Sequence, residues 1–208
     1  VHTILSESDR NPRRVKAAIN TLGRLQAENA LPYLKDLLDS SEYQVEAAGA
    51  LGEIGNTQAR SILMEALKNS EPGNYQYALI RAVGKVAGEE SAEYILSMLP
   101  EEKTGEDNSL PEEKEETLVK ALADIAMQGS RNRKIYTVLS DYLNHTSPHI
   151  RGVAVEGIAG FGARMATSKL LPMLKDEKNE QVKITLVRSL NTLNDASTIP
   201  TFTNLLED

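Results

Sequence analysis

The chain lacks cysteine and tryptophan, and it has few aromatic residues of any kind. Its 208 residues include no Cys, no Trp, two Phe and seven Tyr. The absence of cysteine excludes disulfide bonds, thiol nucleophiles and cysteine-ligated metals. Hydrophobic residues still make up 40% of the sequence, so a buried core has to be built from Leu, Ile, Val and Ala.

Long apolar runs are also missing. No stretch reaches the roughly 18 apolar residues of a membrane helix, so we expect no membrane span. The first residues, Val1 to Ser8, lack the apolar segment of a secretion signal. Because residue 1 is Val and not Met, we expect a processed chain or an excerpt of a longer one. The cytoplasm is favoured, and an exported form stays open because we expect the native N-terminus to be missing.

Negative charge is concentrated in one tract. The net charge is −7, and residues 101–116 hold eight acidic residues against Lys103 and Lys114. This tract alone carries −6, which leaves −1 for the rest of the chain. Its polarity predicts an acidic loop insertion at about 101–112. A docking arm for a basic partner, a lid over basic residues and a solvated insertion are the open interpretations.

A short phrase recurs six times: an apolar residue, a small one, any residue and a second apolar one. Successive copies are 29, 32, 39, 36 and 32 residues apart, and periods of roughly 20–50 residues are typical of solenoids and other repeat arrays. The copies begin at Leu22, Leu51, Val83, Leu122, Ile158 and Leu190.

Helical periodicity surrounds each phrase, and a second helical pattern follows it. We call the helices that carry the phrase signature helices and the others partner helices. Signature helices are predicted near 12–25, 42–54, 73–87, 113–128, 148–161 and 179–193. Partner helices are predicted near 28–38, 57–68, 90–99, 131–144, 164–175 and 197–207. Each repeat is thus a helical hairpin.

Turn and cap residues support this division. Asn11-Pro12 and Ser147-Pro148 combine a capping side chain with a proline at the first helical position. Residues that tolerate the left-handed conformation follow the signature helices, namely Gly55, Gly88, Gly129, Gly162 and Asn194.

The small residue of the phrase predicts close packing. A glycine inside a helix costs about 1 kcal/mol of helix propensity, which makes sense where a neighbouring helix needs the space. The residues that we expect to allow this approach are Gly23, Gly52, Gly84, Ala123 and Ala159.

Several motifs carry a family resemblance. They are the run from Leu51 to Gly55, the pairs Val15-Lys16, Ile150-Arg151 and Val182-Lys183, and the aspartates Asp39 and Asp176 ahead of signature helices. In these features the chain resembles the HEAT-repeat family, in particular the phycobilisome-lyase-type HEAT-like repeats.

The resemblance implies an all-α fold, a right-handed α-solenoid of about six HEAT-like helical hairpins. It implies a single domain over residues 1–208, least regular between 70 and 120. It also implies that the signature helices line the concave wall. Lys16, Arg151 and Lys183 would then bind turn carboxylates and carbonyls between repeats.

Exposed positions on that wall are the candidate binding residues. The residue two before each phrase points about 200° away from the phrase, toward solvent. These residues are Asn20, Gly49, Arg81, Lys120, Glu156 and Arg188. Three of the six are basic, which favours an acidic partner segment, whereas an ordinary solvated face is the alternative. We predict partner binding by Asn20, Arg81, Lys120, Glu156 and Arg188.

Other residue sets do not amount to a catalytic or metal site. His145 and His149 are separated by a turn, so we expect no shared metal. The chain also has no His-Glu dipeptide of the kind that binds iron in the HEAT-like hydroxylases. Tyr43, Tyr75 and Tyr77 are either binding anchors on one rim or ordinary packing residues.

We therefore predict a non-catalytic scaffold or adaptor for protein–protein interaction, without a cofactor. The missing tryptophan and only modestly basic wall disfavour nucleic acid as a partner. The partner's identity and the oligomeric state are not predicted. The alternative is a bilin lyase-like, chromophore-handling protein, in which Arg81, Lys120 or Arg188 would pair with tetrapyrrole propionates.

Overall fold

The computed structural model describes residues 11–86, 88–100 and 110–204, and within these ranges every regular element is a helix. The chain divides into two compact units, Val1–Ala87 and Gly88–Asp208. Most of the predicted acidic insertion, at 101–109, lies outside the described residues. That residues 1–208 form a single domain stays a prediction.

Residues 11–86, the described part of unit 1, contain five α-helices. The signature helices are α1 (Pro12–Arg24), α3 (Gln44–Ile54) and α5 (Asn74–Lys85), and the partner helices are α2 (Leu31–Leu37) and α4 (Thr57–Lys68). The helix predicted near 28–38 is α-helical only from Leu31, after a 3₁₀ turn at Glu28–Ala30. Pro32 explains this start, because proline lacks an N–H and is best placed in the first turn of an α-helix.

Unit 2 contains seven helices within its described residues. The signature helices are α7 (Glu112–Met127), α9 (Pro148–Ala159) and α11 (Glu180–Leu193). The partner helices are α6 (Glu89–Ser97), α8 (Arg133–Tyr142), α10 (Ala163–Asp176) and α12 (Ile199–Asn204). The alternation of signature and partner helices confirms the predicted all-α solenoid class. No helix in the described ranges is long and apolar enough to cross a membrane.

Cap residues explain where the helices begin and end. Within the described residues, four side chains accept a hydrogen bond from the first turn of an α-helix, those of Asn11, Asn56, Asn132 and Asn179. Ser147 precedes α9 as its N-cap, but its side chain makes no such bond, contrary to the prediction. Gly55 and Asn194 end signature helices with φ of 69° and 50°, as predicted. The prediction for Gly88 is wrong, since its φ of −176° is extended and it precedes α6 as that helix's N-cap.

The first apolar residue of the phrase lies in the core in five of its six copies, whereas Leu22 of the first copy is half-buried. Leu51, Val83, Leu122, Ile158 and Leu190 are fully buried. Signature helices pack directly on one another, α1 on α3 on α5 in unit 1 and α7 on α9 on α11 in unit 2. The repeated apolar positions therefore make a continuous aliphatic layer within each unit.

Close helix approach occurs at Gly23 and Gly52, as predicted. A Cβ on Gly23 would lie 2.7 Å from Ala50 Cα, and one on Gly52 would lie 3.0 Å from Ala82 Cα. Real Cβ atoms do not approach a backbone atom so closely without displacing it. Only glycine fits at these two positions without a shift.

Unit 2 achieves the same approach with the glycine on the other helix. A Cβ on Gly157 would lie 2.9 Å from Ala123 Cα, so Ala123 is a contact point but the glycine lies opposite it. The next predicted position, Ala159, is half-buried. Its neighbour Gly160 makes the close contact instead, because a Cβ there would lie 2.6 Å from the carbonyl oxygen of Ala126.

Candidate partner-binding face

Charged pairs between neighbouring signature helices define an exposed face in unit 1. Lys16 Nζ on α1 lies 2.7 Å from Glu46 Oε1 on α3, and Glu53 on α3 pairs with Lys85 on α5. The hydrogen bond that Lys16 donates to Glu46 raises the pKa of Lys16. We call the exposed surface of the signature helices in each unit the signature-helix face.

Two of the predicted binding residues lie on this face of unit 1. Asn20 on α1 and Arg81 on α5 are both exposed. Arg81 has no carboxylate partner among the described residues. Gly49 lies on α3, which packs against both helices, and a Cβ there would meet no atom within 4 Å. This part of the face is open and carries a guanidinium to which the described residues offer no carboxylate.

A groove of about 440 Å³ crosses the signature-helix face of unit 2. Val153 and Val182 are buried and give it an apolar floor. Gly152 lines it without obstructing it, since a Cβ at this position would meet nothing within 4 Å. The polar lining residues are Glu116 and Lys120 from α7, His149 and Glu156 from α9, and Gln181 and Thr185 from α11.

The groove brings together two of the predicted binding residues, Lys120 and Glu156. Lys120 Nζ lies 3.2 Å from Asp124 Oδ1 and 3.3 Å from Glu156 Oε2. Burial lowers the pKa of Lys120, but the two carboxylates more than compensate and the pKa is raised. Lys120 is thus a charged group that is already neutralised by its neighbours.

Arg188, the remaining predicted residue, is exposed on α11 and does not line the groove. It has no ion-pair partner in the part of the chain that the structure describes. The expected row of three equivalent cations therefore consists of one paired lysine and two unpaired arginines. The pairing of Lys120 with Glu156 was visible in the sequence, because the two residues occupy the same position in successive repeats that pack together.

The two histidines of unit 2 contact different carboxylates. His149 Nε2 lies 3.0 Å from Glu116 Oε1 in the groove, whereas His145 Nε2 lies 3.6 Å from Glu115 Oε2. Within the described residues, no group of three or more His, Asp or Glu side chains could hold a metal ion.

Arg151 connects two turns of unit 2. Its guanidinium donates to both oxygens of Glu177 at 2.9 and 2.8 Å, and to the carbonyls of His145 and Thr146 at 2.8 and 3.0 Å. This is the contact that the family resemblance implies for Arg151. The turn carboxylate is Glu177 and not its neighbour Asp176, which is exposed at the end of α10.

The other two basic residues of this type behave differently. Lys16 pairs with a carboxylate on a helix instead of a turn. Lys183 is half-buried and has no ion-pair partner in the described ranges. Only Arg151 makes the turn contact, because its planar guanidinium reaches a carboxylate and two carbonyls at once.

The tyrosines are mainly packing residues. Tyr43 is only 7% exposed, so its ring is not available as a surface anchor. Tyr75 and Tyr77 are half-buried, and burial raises the pKa of Tyr75, as does the nearby Asp39.

Family comparisons agree with this architecture. The profile of HEAT repeats matches residues 39–107 and 136–208, more than half of the chain. The chain belongs to the HEAT-repeat family. The profile of the PBS lyase HEAT-like repeat matches one further HEAT segment, at residues 16–40. No curated protein sequence matches this HEAT-repeat chain.

Solved structures that resemble this HEAT-repeat chain include engineered proteins. One engineered protein has a TM-score of 0.54 and is 19% identical. The aligned region covers 94% of this chain and 57% of the engineered protein. Another has a TM-score of 0.49 and 20% identity over 92% and 94% of the two chains. A computationally designed armadillo repeat protein for modular peptide recognition has a TM-score of 0.47 and 20% identity over 88% and 94%. At these identities the likeness concerns the fold alone.

Proposed function

We propose that this HEAT-repeat chain is a non-catalytic scaffold that binds a segment of a partner protein on its signature-helix face. The polar contacts are Asn20 and Arg81 in unit 1, and Lys120, Glu156 and Arg188 in unit 2. Repeat solenoids present extended surfaces on stacked helices and are typical of protein-interaction scaffolds.

The groove across α7, α9 and α11 is the observation that carries this proposal. It combines an apolar floor with a charged lining, and it lies on three successive repeats. A helix or extended segment of a partner can bury apolar side chains on Val153 and Val182 while its polar groups meet Lys120 and Glu156.

A bulky side chain at Gly152 tests the proposal directly. Gly152→Trp places a large ring in the groove, and the Cβ that carries the ring meets no atom within 4 Å. We expect proteins captured by the wild-type chain from its native lysate to be lost with this variant, as quantified by mass spectrometry.

The matched control is Thr137→Trp, on the exposed side of partner helix α8 in the same unit. It adds the same ring away from the groove, so capture should be retained. Capture that survives Gly152→Trp, or that is lost equally with Thr137→Trp, would contradict binding in the groove. Gly49→Trp then reports whether the face of unit 1 takes part.

A chromophore-handling role is the second candidate, and it is supported by the match of one segment to the PBS lyase HEAT-like repeat. The guanidinium group of Arg81 or that of Arg188, neither of which has an ion-pair partner among the described residues, suits a propionate of a tetrapyrrole. Binding to the chain should then shift the visible absorbance of an added bilin, and Arg81→Gln with Arg188→Gln should abolish this shift. An unchanged bilin spectrum would exclude this role.

A further inference from the structure

The groove of unit 2 has an excess of negative charge, although the sequence predicted a row of basic residues on this face. Glu116 and Glu156 line it, and Asp124 holds its one lysine, Lys120. Even if His149 is counted as a cation, three carboxylates face two positive groups. Arg188, the other cation on this face, does not line the groove.

Both lining carboxylates also retain an acceptor oxygen. Glu116 uses Oε1 to contact His149, and Glu156 uses Oε2 to accept from Lys120. Their other oxygens, Glu116 Oε2 and Glu156 Oε1, accept no hydrogen bond from any residue in the described ranges. A carboxylate has several acceptor sites, so each can take another donor without giving up its present partner.

The floor of the groove suits the stem of a long basic side chain. Gly152 leaves open space on α9, and Val153 and Val182 beside it are apolar. Lys and Arg place their methylene groups along apolar surface while the charged end reaches polar partners.

We propose that the groove binds a basic segment of the partner protein, with one Arg or Lys side chain crossing Gly152 to reach Glu116 and Glu156. The proposal rests on the proposed function and adds the charge of the partner. An arginine fits best, because its planar guanidinium offers several N–H donors in the geometry that a carboxylate accepts.

Two peptides of opposite charge test this. One is an alanine-rich helical peptide carrying several Arg residues, and the other has Glu in place of every Arg. Each is titrated into the isotope-labelled full chain, and backbone amide shifts are followed by NMR. We expect the Arg peptide to shift the amides of Gly152, Val153 and Thr185, and the Glu peptide to leave them unchanged.

Charge-neutral variants locate the contact. Glu116→Gln and Glu156→Gln keep the side-chain shape, and we expect each to weaken binding of the Arg peptide about tenfold. The matched control is Glu93→Gln, which neutralises a cross-helix pair with Lys134 between partner helices α6 and α8 and should leave the affinity unchanged.

The outcomes separate this inference from the function on which it rests. Equal shifts with the Glu peptide, no shift with either peptide, or an affinity unaffected by Glu116→Gln and Glu156→Gln would overturn the basic segment. If partner capture is nevertheless lost with Gly152→Trp, the scaffold function stands with a partner of another charge. If capture also survives Gly152→Trp, both proposals fail.

Discussion

At the scale of single residues, Arg151 and Glu177 show how a few side chains hold successive turns together. The guanidinium donates two hydrogen bonds to the carboxylate, and these lower the pKa of Glu177. Glu177 also accepts from the backbone N–H groups of Lys178 and Asn179. One carboxylate thus organises its own turn and ties it to α9.

This pair predicts a pH dependence. Because the folded-state pKa of Glu177 is lowered, its contribution is complete above the unfolded value of about 4.3 and is lost as the pH falls through the folded value. Urea unfolding midpoints should therefore fall more for the wild-type chain than for Glu177→Gln when the pH is taken from neutral to below about 4. Equal falls in the two proteins would show that the pair does not contribute.

Burial of Leu51 predicts a large packing effect. Leu51 is fully buried, so Leu51→Ala should lower the free energy of unfolding by roughly 2–5 kcal/mol through lost contacts and a cavity. Leu25 is the matched control, because it is 72% exposed and Leu25→Ala should change the stability little. Chemical denaturation measures both, and an unchanged midpoint for Leu51→Ala would remove this residue from the core.

At the scale of helices, two glycines of α9 have opposite roles. Gly157 lies against Ala123 of α7, whereas Gly152 faces open space. Gly152→Ala should therefore raise the free energy of unfolding by up to about 1 kcal/mol through better helix propensity. Gly157→Ala should lower it by roughly 1–3 kcal/mol, because α7 or α9 must move.

Thermal unfolding of the two variants checks this pair. Because both variants carry a Gly→Ala substitution in α9, each is the control for the other. A stabilising effect at Gly157 would mean that the helices are not packed as closely there as the structure places them.

Much of the helical arrangement was predictable from local signals. The phrase at Leu51 and the asparagine caps are short-range features, so helix positions follow from periodicity and end residues alone. The choice of Glu177 over Asp176 was not predictable, because it depends on which of two adjacent carboxylates faces Arg151. The sequence also placed Lys120 in a row of cations, whereas Asp124 on the same helix and Glu156 in the next repeat neutralise it. The equivalent repeat positions of Lys120 and Glu156 could have indicated that pairing.

At the scale of the whole chain, the single domain over residues 1–208 remains a prediction. In a repeat array each unit contacts its neighbours, so cooperativity depends on the interfaces between repeats. If the prediction is right, differential scanning calorimetry should give one transition with matching calorimetric and van't Hoff enthalpies. Two separate transitions would show that Val1–Ala87 and Gly88–Asp208 unfold independently.

The charge of the whole chain also affects which partners the signature-helix face attracts. The net charge of the chain, −7, favours cationic partners at long range, while Arg81 and Arg188 add local positive groups. The groove across α7, α9 and α11 is where shape and charge coincide. Binding at this place is the central claim.

Site-specific photo-crosslinking tests that claim most directly. A photoreactive phenylalanine analogue is placed at Thr185, in the groove, or at Thr137, on the exposed side of α8, and the full chain is irradiated in its native lysate. We predict a protein adduct from position 185 that is absent from position 137 and disappears when Gly152→Trp is added. Adducts from position 137 alone, or adducts from position 185 that persist with Gly152→Trp, would contradict the account.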